Sequence, residues 1–397
     1  MPDPTLPKVD RLVLHIGVPK TGTSAIQESL AGSYESLLAG GTLYPHAGRD
    51  HLGKHAKFIE ELAESGAPGT KLPSHFELLT EVRATEPTTL LISSELLGGS
   101  LPSGTRTRAV AWTRSLCDLF QVQKPVILGY VRPQWEYIES AYAQAVKSGS
   151  RWVPFEEYLE ESMALETVEV PPADALYGGK RFDYLKVFAP WREAFQEKLE
   201  VRPFATDLLV GHDVVNDFWH SVGLGPPPAS RGHPNHRSGV RSTEMIRALR
   251  ALFAEHHLDT LVPVVDILRR ARWRIEAELP DDPRFSVLTP EHVNRIAERF
   301  SASNDQFIHD YLGGQHLSLF ATPDEPAHPS STWSLSEASE RELRIFAQVV
   351  EEALRQIRES SPASNSRRRA TGPRGARRAA NRLRRRLRLR TRLGLRD

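Results

Sequence analysis

The stretch His15-Ile16-Gly17-Val18-Pro19-Lys20-Thr21-Gly22-Thr23-Ser24 separates two glycines by four residues and places a lysine between them. Between a buried strand and a helix, such a loop turns its backbone N–H groups and the positive end of the helix dipole toward one point, where an anion can sit. A nucleoside-triphosphate loop of the form G-x-x-x-x-G-K has its lysine directly after the second glycine. Here that position is Thr23, and Lys20 stands inside the turn instead. From inside the turn an ammonium reaches the bridging oxygen of a bound anhydride, where negative charge grows as the bond breaks. The plain alternative is a tight turn capped by Thr23 or Ser24 that binds nothing.

A second anion site is suggested by Gly129-Tyr130-Val131-Arg132-Pro133, in which Arg132 ends an apolar run and Pro133 suits the first position of a helix. Ser140, seven residues beyond Pro133, falls on the same helical face. An arginine fork and a serine hydroxyl together suit a phosphate. Two candidates exist for a proton acceptor. Glu95, in Ser93-Ser94-Glu95, follows a second apolar run, with Ser94 beside it as a possible substrate contact; a glutamate there also suits the start of a helix. His51 and His55 are four apart and share a face if helical, and His51 is the one placed to line a cleft. As metal ligands they lack both an H-E-x-x-H pattern and an evident third partner, so no metal is expected.

The run Pro19-Lys20-Thr21-Gly22-Thr23 resembles the phosphosulfate loop of sulfotransferases that use 3′-phosphoadenosine 5′-phosphosulfate (PAPS). The pair Arg132 and Ser140 is similar to that family's 3′-phosphate motif, and the two motifs stand in the family's order. The segments around Thr42-Leu43-Tyr44-Pro45, Ser93-Ser94-Glu95, 181–195 and 288–307 look like bacterial, largely carbohydrate-type members. The resemblance implies PAPS as co-substrate, held by Gly17, Pro19, Lys20, Thr21, Gly22, Thr23, Ser24, Arg132 and Ser140. It implies transfer to a hydroxyl, on a glycan or glycolipid, with Glu95 at a strand end that carries a catalytic group in family members. Related enzymes lay a further basic segment over the 3′-phosphate. Arg237 or Arg241 would serve, although the Arg-Lys-Gly signature of some members is missing and a solvated loop is the other reading. Two rivals remain: a P-loop kinase or NTPase requiring magnesium, and a nonenzymatic polyanion-binding protein.

These residues need a scaffold, and the sequence supplies its outline. The runs 11–16, 88–93 and 125–131 read as buried parallel strands, with 199–204 as a fourth, and helical patterns alternate with them. This predicts an α/β fold: a P-loop-like, doubly wound parallel sheet flanked by helices, with ligands beyond the carboxyl ends of the strands. A Pro/Gly-rich break at 223–239 leads to a helical second half. There Thr289 and Pro290 open one helix, and Ser334 with Glu337 forms a capping box for another over 334–360. The expected layout is a flexible 1–10, a domain over 11–322, a linker over 323–333, that helix, and a disordered tail from 361.

The 397 residues, 40% hydrophobic, are enough for a sizeable core, and a single cysteine, Cys117, excludes an intrachain disulfide. The opening ten residues have no apolar signal-like core, and no run is long enough to span a bilayer, so a soluble, cytoplasmic chain is expected. From Ser366 onward there are fourteen arginines against one aspartate, a charge of +13, so a chain of net +1 carries −12 elsewhere. Such an arm suits peripheral contact with the inner face of an anionic membrane or with another polyanion. No aromatic side chain is interleaved for base stacking, which argues against specific nucleic-acid recognition. A merely solubilising arm is the remaining reading.

Overall fold

The computed structural model describes residues 6–65, 69–99, 101, 104–165, 182–228, 238–258, 264–323 and 333–360. The chain divides into two compact units. The first comprises Met1–Ile138, Leu159–His233 and Pro290–Asp324, and the second Glu139–Tyr158, Pro234–Thr289 and Glu325–Asp397.

In the first unit the apolar runs become strands because neighbouring strands and helices cover both of their faces. Along the chain come β1 (Arg11–His15), α1 (Thr23–Gly32), α2 (Tyr34–Ala39), β2 (Thr42–Leu43), α3 (Ala56–Ser65), α4 (Pro73–Thr85) and β3 (Thr89–Ser93). Then follow α5 (Thr105–Leu119), β4 (Lys124–Val131), α6 (Gln134–Ser148) and α7 (Phe155–Leu165), of which the stretch Glu139–Tyr158 belongs to the second unit, and α8 (Tyr184–Phe195), β5 (Leu199–Pro203) and α9 (Val214–Ser221). The five strands are parallel in the order β2-β3-β1-β4-β5, with Arg11 opposite both Thr89 and Lys124. Val13, Leu91, Leu128 and Tyr130 share one buried cluster with Ile26 and Leu30 of α1 and with Val214 and Phe218 of α9. The alternate residues Leu12, Leu14, Leu90, Ile92 and Ile127 are buried as well, so the sheet is covered on both sides.

This order places the loops that carry the candidate residues together for a topological reason. The chain leaves β1 toward β2 and β3 and then crosses to β4 and β5, so the sheet reverses direction around β1. Parallel strands end at one edge, and the loops after β1, β3 and β4 therefore meet there. Those loops carry Gly17–Gly22, Ser94–Gly99 and Arg132.

The second half is helical among the described residues, with α10 (Val240–Glu255), α11 (Val264–Glu278), α12 (Pro290–Tyr311) and α13 (Glu340–Ser360). In the second unit α10 packs on α11 and α11 on α13. Pro290 is indeed the first residue of α12. The capping box of α13, however, lies five residues later than the sequence suggested. Ser339 N–H donates to Glu342 Oε2 (2.7 Å) and Glu342 N–H to Ser339 Oγ (3.3 Å), and the helix starts at Glu340. Ser334 and Glu337 do pair, at 3.0 Å, but within a turn before the helix. The reason is apolar spacing: the buried stripe of Ile345, Phe346, Val349, Val350, Ala353 and Ile357 fixes the start one turn ahead of Ile345.

Candidate functional site

Between β1 and α1 the backbone turns through two left-handed residues, Lys20 and Gly22. Gly22 is left-handed, with φ 76°, and as the residue before α1 it supplies no capping side chain. The first turn of α1 holds no acidic residue either, so the dipole at that end is not offset by a carboxylate of its own helix. Lys20 is also left-handed, with φ 71°, an uncommon conformation for a residue with a side chain. The buried Thr21 hydroxyl donates to Val18 O at 2.6 Å and closes the turn on itself. The loop after β3 lies directly against this turn, because Gly98 has no Cβ. One built there would stand 2.5 Å from both Ile16 O and Gly17 O.

Arg132 reaches the same loop from β4. Its Nη1 donates to Lys20 O at 2.9 Å, its carbonyl accepts from the Tyr184 hydroxyl at 2.7 Å, and its guanidinium lies 5.6 Å from the Phe204 ring centre. Glu136, one helical turn on, takes both Nε (3.1 Å) and Nη2 of the same guanidinium. Ser140 lies farther along α6, half-buried, in the part of the helix assigned to the second unit.

Glu95 opens the short turn after β3 and is tied to the loop through Thr23. The Thr23 hydroxyl donates to Oε2 at 2.7 Å, and Lys54 Nζ donates to Oε1 at 2.7 Å. Burial alone would raise this carboxyl, but Lys54, the Thr23 hydroxyl and Lys20 outweigh it and hold Glu95 below the ordinary carboxylate range. Glu95 is therefore an ionised carboxylate at neutral pH. Ser94 beside it is buried, and its Oγ has no hydrogen-bond partner among the described residues.

Beneath these groups is a polar layer that the sequence motifs did not reveal. His15, fully buried at the end of β1, meets Ser93 Oγ at 2.8 Å through Nδ1, and Gln27 Nε2 donates to the same oxygen at 3.1 Å. His15 Nε2 has no partner among the described residues. Burial depresses the His15 imidazole to about 3 despite the nearby Glu95, so it is neutral. His15 is the first residue of the stretch that announced the loop, yet as the last residue of an apolar strand it carried no separate signal.

The two histidines of the 51–55 segment do not share a helical face, because α3 begins only at Ala56. His55 is fully buried. Its Nδ1 accepts from Ser93 N–H at 3.1 Å and its Nε2 donates to Pro45 O at 2.9 Å, which fixes the tautomer, and burial depresses it to about 3. His51 is exposed at the rim of an open cavity of about 600 Å³, with Glu28, His46, Arg49 and Asp50 also lining it. No hydrogen bond connects His51 to Glu95 or to Lys20 among the described residues, whereas Lys54, which the sequence did not single out, is bonded to Glu95. Arg241 is turned to Glu342 at 2.9 Å, and Arg237 lies outside the described residues, as do most of the linker and all of the arginine tail. Among the described residues no three His, Cys, Asp or Glu side chains converge as a metal site requires, and no helix is long and apolar enough to cross a membrane.

No family profile matches the chain. An uncharacterized protein of Archaeoglobus fulgidus is 27% identical over 199 residues, which are 47% of this chain and 46% of that protein. The chain thus spans about half the length of the curated relative that it matches. Among solved structures, a sulfotransferase from Alicyclobacillus acidocaldarius aligns with a TM-score of 0.38 and 16% identity, covering 57% of this chain and 87% of that one.

Proposed function

We propose that this protein transfers a sulfuryl group from PAPS to the hydroxyl of an acceptor, and that the acceptor is a glycan or glycolipid. The observation that carries the reading is the placement of Lys20: inside the turn, on the loop whose carbonyl holds Arg132 and whose Thr23 holds Glu95. Gly17 to Ser24 would cradle the 5′-phosphosulfate end of the donor, a reading supported by the N-cap Gly22, which makes no side-chain cap hydrogen bond. The bond to be broken joins sulfur to the bridging oxygen, and the leaving group is a phosphate.

Lys20 supplies a positive charge beside that oxygen as electrons move onto it. Glu95, already ionised, accepts the proton of the acceptor hydroxyl as that oxygen attacks sulfur in line. Its low proton affinity sacrifices driving force, and in exchange it is in the correct protonation state throughout the neutral range. Arg132 takes the donor's 3′-phosphate by exchanging Glu136 for it, and Ser140 is carried forward on the sequence motif. The acceptor class rests on the family resemblance.

Calorimetry on the full chain tests the reading. It expects 3′,5′-adenosine bisphosphate to bind without magnesium, and more tightly than ATP does with or without it. Tighter binding of magnesium–ATP would replace the sulfotransferase with a kinase or NTPase.

A further inference from the structure

A carboxylate that takes a proton during an in-line displacement must be held in one orientation, and no sequence motif accounts for how Glu95 is held. The loop before α3 supplies the answer. Lys54 N–H donates to Asp50 Oδ1 (3.0 Å) and Asp50 N–H to Lys54 O (2.8 Å), so the backbone around Lys54 closes on Asp50. The next residue, His55, is fastened to the end of β3: its N–H donates to Ser93 O (3.0 Å) and its Nδ1 accepts from Ser93 N–H (3.1 Å). Glu95 leaves that strand end two residues later. Lys54 and Glu95 are thus tied to one fixed point, and their side chains meet at 2.7 Å with only 18% and 22% of their surfaces exposed. An ion pair between two flexible surface side chains contributes little to stability because ordering them costs entropy. Here the backbone has already met part of that cost.

We propose that Lys54 is a positioning residue for the transfer reaction: it clamps Glu95 Oε1 while Thr23 clamps Oε2, so the carboxylate is presented beside Lys20 in a single orientation. Each oxygen spends one lone pair on its clamp and keeps another for the acceptor proton. The proposal rests on the sulfotransferase reading and adds to it a residue outside both anion motifs. Among the described residues, the charged or titratable groups that act on Glu95 are Lys54 from this loop, Lys20 from the glycine loop and the neutral His15 from β1.

The decisive measurement is a carboxyl NMR titration of the full chain, with the Glu95 signal identified by its loss in Glu95→Gln. Lys54→Met is expected to raise the Glu95 midpoint by about one unit or more, and Lys54→Arg to leave it close to that of the unsubstituted chain. In parallel, Lys54→Met should lower turnover about tenfold or more through kcat, with bisphosphate affinity within about threefold of the unsubstituted value. Lys54→Gln, which removes the charge but keeps an N–H donor on a shorter side chain, should give the same upward midpoint shift if Lys54→Met does not fold. An unchanged Glu95 midpoint in folded Lys54→Met or Lys54→Gln overturns the proposal, and so does loss of bisphosphate binding together with turnover, which would make Lys54 a support of the cradle. If the unsubstituted chain binds no bisphosphate, the sulfotransferase reading fails, while the titration still decides whether the clamp exists.

Discussion

At the scale of single residues, the proposed reaction gives distinct roles to groups that lie close together. Lys20→Ala should lower turnover by about 10² to 10³, the order lost with one transition-state donor, with the fold intact by circular dichroism. Glu136 competes for the guanidinium that the donor would need. Glu136→Gln should therefore tighten 3′,5′-adenosine bisphosphate binding, by up to roughly 1 kcal/mol given that the carboxylate is partly exposed, as read by calorimetry. His15 and His55 give the fold a pH dependence of known sign. Both are held neutral down to about pH 3, whereas an unfolded histidine takes up its proton near ~6.5. Their contribution is complete above that unfolded value and is lost as pH falls, with a slope of up to ~1.4 kcal/mol per unit for each histidine. Denaturant unfolding at about pH 7 and about pH 5.5 should show the decline, and His55→Gln should flatten it. The Glu95 carboxyl, held low by Lys54, the Thr23 hydroxyl and Lys20, extends the acid sensitivity downward. Of these residues the sequence made Lys20, Glu95 and Arg132 legible, because glycine spacing and strand ends mark them. Lys54 and His15 were not legible, since a lysine in a polar loop and a histidine ending a strand carry no spacing that betrays their partners.

At the scale of elements, the sheet was readable because its strands are covered on both faces and so appear as continuous apolar runs. Four strand positions agree with the sequence to within one residue at each end. β2 escaped because two residues, Thr42 and Leu43, are too few to show any period. The start of α13 was misplaced because Ser334–Glu337 and Ser339–Glu342 are both valid boxes, and only the apolar stripe distinguishes them. What no periodicity conveys is how closely two loops approach. Gly98→Ala would place a carbon against the carbonyl oxygens of Ile16 and Gly17. The expected cost is about 1–3 kcal/mol of stability, as for other overpacked sites, read by denaturant unfolding. Bisphosphate affinity should fall with it, because the cradle must shift to make room.

At the scale of the whole molecule, charge and chain path set the remaining expectations. From a tail of +13 on a body of −12 we propose that the tail meets polyanions. Deletion after Pro362 should leave bisphosphate affinity unchanged while reducing retention on anionic vesicles, and raised salt should imitate the deletion. The other whole-molecule feature is that each compact unit is assembled from three separate lengths of chain, taken alternately. During synthesis, the unit that carries Lys20, Glu95 and Arg132 waits for Pro290–Asp324, and with it α12, to leave the ribosome before it is complete. The first unit therefore cannot complete until two of the second unit's three lengths have also been made, and nascent chains stalled before α12 should remain susceptible to proteases and dependent on chaperones.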